Sequence, residues 1–260
     1  MIKENLEKLA AAAQAKTKLL NDNIVKYFIL AMMAGIYVGF GIMLIFSIGA
    51  PLKAAGSPGL KALMGSSFAI ALTLVIFAGS ELFTGNNMVM TVGALSKKVT
   101  WIDAIKIWIV SYFGNLVGSL LMAWTLVQTG LVAKEPLSNF VLGASAAKMG
   151  APSMELFFRG ILCNMLVCLA IWMATKTKED IAKIAFIFLC LFGFIGSGFE
   201  HSIANMTLLG MGLFIPHDPS LVSWAGYMHN LIPVTLGNML GGAVVIGAMY
   251  FYVGTGRGGK

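Results

Sequence analysis

Six apolar runs dominate the chain, at roughly 27–50, 66–95, 104–131, 153–175, 184–214 and 229–253, separated by short polar links. A helix of about 20 apolar residues crosses a hydrocarbon core of about 30 Å, so each run predicts a membrane-spanning helix. The second and fifth runs are long, and each is interrupted by polar residues. Gly79-Ser80-Glu81-Leu82-Phe83-Thr84-Gly85-Asn86-Asn87 breaks the second, and Gly198-Phe199-Glu200-His201-Ser202-Ile203-Ala204-Asn205 breaks the fifth. Both follow Gly-x-Glu-x-x-x-x-Asn, with Glu81 matching Glu200 and Asn86 matching Asn205 at an offset of 119 residues.

A second pair of stretches supports a duplication. Gly114-Asn115-Leu116-Val117-Gly118 lies in the third run and Gly237-Asn238-Met239-Leu240-Gly241 in the sixth. Three spans per half is an odd number, so the second half must enter the membrane upside down. The expected fold is therefore an all-α polytopic membrane protein whose six transmembrane helices form two inverted three-helix repeats, about 27–131 and 153–253. Helices 2 and 5 break at the midplane, where such architectures place their substrate. Gly35, Gly39, Gly41, Gly114 and Gly118 read as close-packing positions between helices.

Ahead of the spans, Ile2, Leu6, Leu9, Ala13 and Leu20 form a helical apolar stripe among Lys and Glu, unlike a signal peptide. Residues 1–26 are expected to be a cytoplasmic amphipathic arm, either solvated or a lid over the cytoplasmic mouth. Asn21-Asp22-Asn23 ends it and can cap the first span. Between the halves, the external link of about 132–152 has room for a short helix or re-entrant piece. A Gly-rich tail, 254–260, closes the chain.

Composition excludes a soluble core: 58% of residues are hydrophobic, 11% are charged, and mean hydropathy is +0.85. The net charge of +7 does not point to nucleic acid, because the basic residues cluster at span ends. With the amino terminus inside, 13 of the 18 Lys and Arg fall on the cytoplasmic side, Arg257 and Lys260 among them. Only Lys53, Lys61, Lys134, Lys148 and Arg159 fall outside, so both termini are expected to be cytoplasmic. Cys163, Cys168 and Cys190 all sit in apolar runs with no Cys-x-x-Cys, which argues against a disulfide framework or a metal site. Neither Gly-x-Ser-x-Gly nor His-Glu-x-x-His occurs, so an enzyme is not expected, and no cofactor is implied.

Non-helical backbone survives in a membrane only when it is buried in protein or lines water, so both breaks must face inward. The helices that resume after them would aim two amino termini at one point, each carrying roughly half a positive charge and free N–H donors. Such a site prefers a small anion over a cation. Thr84 or Asn86 can cap one terminus, and Ser202 or Asn205 the other. Glu81 and Glu200 are assigned to holding the breaks, accepting bonds from their orphan N–H groups. His201 can offer an N–H to a passing anion or relay a proton. Phe68, Leu72, Leu82, Val167 and Phe194 are candidates to narrow the passage, and Lys148 to draw anions toward it.

On the two interrupted stretches, Gly79 to Asn86 and Gly198 to Met206, the chain resembles the formate/nitrite transporter family over essentially all six spans. Within it, the chain is most similar to the hydrosulfide channel branch of sulfite-reducing anaerobes. The resemblance implies a homopentamer in the cell (inner) membrane, with one aquaporin-like pore in each protomer and a lipid-filled centre. It places Leu82, Phe83 and Thr84 in a mobile break, His201 at the centre of the pore, Phe194 with Leu72 at a constriction, and Asn164, Val167 and Lys148 at pore positions. Aquaporins carry Asn-Pro-Ala at their breaks and this chain does not. The expected function is a channel for small monovalent anions, with hydrosulfide preferred and formate and nitrite also conducted. The alternative is a proton-coupled formate or nitrite transporter that uses His201 as relay.

Overall fold

Among the described residues every regular element is helical, because the long apolar stretches must satisfy each backbone group internally. A computed structural model describes residues 2–256; Met1, Arg257 and Lys260, with the end of the predicted tail, lie outside the described residues. The helices are α1 (Ile2–Asp22), α2 (Ile24–Ala54), α3 (Leu60–Ser67), α4 (Ala69–Phe77), α5 (Phe83–Leu95) and α6 (Trp101–Gln128) in the first part of the chain. The rest are α7 (Leu137–Met149), α8 (Ser153–Lys176), α9 (Asp180–Ser197), α10 (Ser202–Phe214), α11 (Trp224–Met239) and α12 (Met249–Thr255). A π-helical segment, Leu240–Ala248, joins the last two in one continuous helical run. Among the described residues, six helical stretches are long and apolar enough to span a membrane, among them the α3–α4 pair counted as one and α11 to α12 counted as one.

Side chains write several of the helix starts. The Asn23 carboxamide accepts from the Lys26 N–H at 2.9 Å and starts α2. Thr100 and Asp103 cap α6 reciprocally, and the Ser223 hydroxyl caps α11.

Helix α2 packs along α6, and α8 packs along α11. Glycine makes both approaches possible: a Cβ at Gly118 would collide with the Met32 carbonyl, and one at Gly237 with the Phe157 carbonyl. The two helices that follow the interruptions do not stay with their own neighbours. Helix α5 lies against α8 and the π segment as well as α6, and α10 lies against α2 and α6 as well as α11. Phe83 through Ala94 of α5 and Ser202 through Gly212 of α10 are all buried. Protein thus encloses both helices.

The structure revises two readings. Helix α1 is not a solvated arm: Leu6, Leu9, Ala13 and Leu20 are buried, the helix packs on α5, and the Asn5 amide donates to the Trp172 carbonyl at 2.9 Å. Residues 60–67, placed mostly in the first loop by the sequence, form α3 and extend the second span toward the amino terminus.

Candidate functional site

The two interruptions are built alike. Each opens on a glycine with positive φ, Gly79 at 73° and Gly198 at 77°, where an L side chain would be strained. Two residues on, the Glu81 N–H donates to the Leu30 carbonyl and the Glu200 N–H to the Arg159 carbonyl, both at 3.2 Å. One buried asparagine then closes each loop. The Asn115 Oδ1 accepts from the Phe83 N–H at 2.9 Å, while its Nδ2 donates to the carbonyls of Ala31 and Glu81. Asn238 repeats the set on the Ser202 N–H and the carbonyls of Gly160 and Glu200. Backbone that leaves the helix is thereby paired without water, and this keeps it stable in an apolar surround.

The carboxylates behave differently from the sequence expectation. Glu81 and Glu200 accept from side chains, not from the orphan N–H groups of the loops. Lys16, on α1, reaches Glu81 at 2.7 Å, and Lys148, on α7, reaches Glu200 at 2.6 Å. Glu81 also accepts from the Tyr27 hydroxyl at 2.8 Å and from Asn86 at 3.2 Å. Glu200 accepts from Asn205 at 2.6 Å, and the amide of Asn205 bonds onward to Asn230. Nearly buried carboxylates persist only when paired in this way. Lys148 is therefore half of an ion pair, not a free charge facing solvent.

Helices α5 and α10 present their first turns to each other. His201 is the N-cap of α10, and its Nδ1 accepts from the Ala204 N–H at 3.1 Å. That bond needs the Nδ1 lone pair, which leaves the ring proton on Nε2. Nε2 lies 3.0 Å from the Thr84 hydroxyl, on the second residue of α5, and donates to it. The caps expected of Thr84, Asn86, Ser202 and Asn205 are not made. The Asn115 carboxamide serves α5, the His201 ring serves α10, and the Ser202 hydroxyl has no partner among the described residues.

Beside this contact lies a central cavity of about 10 Å³, room for a single water-sized sphere. Val38, Phe68, Ala71, Leu72, Leu82, Val167, Leu191, Phe194 and His201 line it, so the imidazole is its one polar wall. Phe68 and Phe194 meet edge to face with centroids 5.5 Å apart. Leu82 also borders a second cavity of about 420 Å³ that reaches Lys8, Lys16, Ser80, Glu81 and Thr175. The Leu82 side chain thus stands between a roomy vestibule under α1 and the tight central cavity.

Of the remaining candidates, Phe83 turns away, its ring packing on Tyr112 with centroids 5.1 Å apart. Asn164 does not line the cavity; it donates to the carbonyls of Thr84 at 3.1 Å and Asn238 at 2.6 Å, tying α5 to the asparagine that holds the other loop. Lys16, Tyr27, Asn115, Asn230 and Asn238 were not assigned to the site from sequence. The signal for two of them was present: an asparagine in the middle of an apolar span, repeated in both halves, marks a buried polar task.

Apolar spans around two enclosed helices, with a cluster of bonded polar groups where those helices begin, define a multi-pass membrane protein of the transporter class. A family model described as formate/nitrite transporter matches residues 3–252, and the chain belongs to that family. The nitrite transporter NirC of Escherichia coli is 44% identical over 97% of this chain and 92% of its own length. A solved structure titled "FNT family ion channel" superposes with a TM-score of 0.91 at 43% identity, covering 96% of this chain and 98% of that one. A pentameric formate channel with formate bound superposes at 0.78 and 30% identity, over 88% and 96%.

Proposed function

We propose that the chain is a gated passage for small monovalent anions, running from the vestibule under α1, past Leu82, through the central cavity at His201 and Thr84, and out between Phe68 and Phe194. The observation that carries this reading is the meeting of two helix amino termini at one small cavity, because both termini favour negative charge there. In this reading the two halves are inverted repeats, their interruptions lie at the bilayer midplane, and α1 is on the cytoplasmic side. The repeated bonding sets of Asn115 and Asn238, and of Lys16–Glu81 and Lys148–Glu200, support the inversion. The pentameric formate channel supports assembly as a homopentamer in the cell membrane.

Nitrite and formate are the anions that the names of the relatives support. Hydrosulfide, preferred on the sequence resemblance, is the best match to a cavity with room for one water-sized sphere, since its single heavy atom is smaller than the three of nitrite or formate. Flux of hydrosulfide, nitrite, formate and chloride into one preparation of proteoliposomes, against protein-free vesicles, ranks them. Potassium movement with none of the anions crossing would end the proposal.

A second reading has its own support: the cavity offers an anion no cationic side chain, and its one polar lining residue is His201. Desolvating a charge there is costly, and crossing as the neutral acid after proton transfer at His201 avoids that cost. Alkalinisation on the side the anion leaves, in step with flux, selects this coupled mechanism; anion flux without it selects the passive channel.

A further inference from the structure

A groove of about 620 Å³ lies away from the passage, between α1, the turn that joins α5 to α6, and the end of α12. It is lined by the exposed Lys3, Lys97 and Lys98 against one acid, Glu7, and by the half-buried Leu95 and Phe251. The three lysines are exposed and make no ion pair among the described residues, whereas the lysines of the two loop-holding pairs are committed. The turn and the helix ends that form the groove close off three apolar spans, so in the proposed topology it sits where the hydrocarbon stops. Trp101, the first residue of α6, and Tyr252, on α12, are 49% and 62% exposed at that same end, as aromatic residues at a membrane interface are.

We propose that this groove binds the headgroup of an anionic phospholipid, with Lys3, Lys97 and Lys98 on the phosphate and the Leu95 and Phe251 surface against the start of the acyl chains. Basic recesses between spans at the headgroup level select acidic lipids, and the apolar lining favours a lipid over a soluble phosphate ester. The occupant touches α1 and α12 at once, so it also fastens the helix that bears Lys16 to the body of the protein. The inference rests on the membrane topology above but not on which anion passes.

The test is lipid retention by the full chain, purified in detergent with phosphatidylglycerol or phosphatidylcholine added, read by native mass spectrometry. A lysine set against an acidic headgroup contributes about fivefold to affinity, so Lys3→Gln/Lys97→Gln/Lys98→Gln should bind phosphatidylglycerol about a hundredfold more weakly. The corresponding Arg triple variant should keep it. A control triple variant at Lys18, Lys26 and Lys106, which lie outside the groove, should change retention less than twofold. Equal losses in the groove and control variants, or equal retention of the two lipids by the unaltered protein, overturns the proposal. Displacement of the lipid by millimolar glycerol 3-phosphate would reassign the groove to soluble phosphate esters and overturn it too.

Discussion

Removing Lys148 should strand Glu200. The lysine side chain is 24% exposed and the glutamate 5%, so the amine has access to water but the carboxylate has almost none. In Lys148→Met the carboxylate keeps only Asn205 as a side-chain donor among the described residues. A buried charge that loses its partner costs about 3 kcal/mol, and we expect a loss of that size. Lys16→Met should cost less, about 1–2 kcal/mol, because Glu81 retains the Tyr27 hydroxyl and the Asn86 amide. Pairing Lys148→Met with Glu200→Gln removes the stranded charge, so the double variant should recover most of the loss, giving a coupling of about 2 kcal/mol. Reversible unfolding in mixed micelles, run on Lys148→Met, Lys16→Met, Glu200→Gln and the double variant, measures all of these. The reasoning fails if Lys148→Met is as stable as the unaltered protein, if it is no worse than Lys16→Met, or if the double variant stays as unstable as the single.

Three further outcomes follow from the geometry. Asn115→Leu and Asn238→Leu each leave one break N–H and two carbonyls without their partner, so each should lose about 1–3 kcal/mol of stability and do so to a similar extent; a large loss in one half only, measured by the same unfolding, would contradict equivalent roles. Leu82→Ala takes away the side chain between the vestibule and the central cavity, so anion flux in proteoliposomes should rise severalfold with selectivity reduced, and unchanged flux would place the barrier at Phe68 and Phe194 alone. Thr84→Val keeps the shape but leaves the His201 Nε2–H without its acceptor, at a cost of about 1 kcal/mol; flux should change while the fold, read by circular dichroism, does not.

The hydrophobic pattern by itself determined the class of fold, because a chain this apolar has only the bilayer in which to bury its surface, and span length is set by bilayer thickness. It also marked both interruptions, since Glu81, Glu200, Asn86 and Asn205 are costly in apolar runs and stand out for that reason. The matched Gly-Asn-x-x-Gly stretches were visible too. Their task was not: whether a loop N–H is taken by a nearby Glu, Thr or Asn or by an asparagine 32 or 36 residues away depends on which helix lies alongside, and sequence spacing does not encode that. The same holds for charge. Lys16 and Lys148 looked like an arm residue and an external attractor, and only the packing of α1 on α5 and of α7 on α10 set each amine against a carboxylate 65 or 52 residues away. His201 was legible as the histidine deep in a span, beside an interruption. That its ring caps α10 through Nδ1 and so turns its remaining proton toward Thr84 was decided by the tertiary structure, which brings together two helix starts 117 residues apart in the chain.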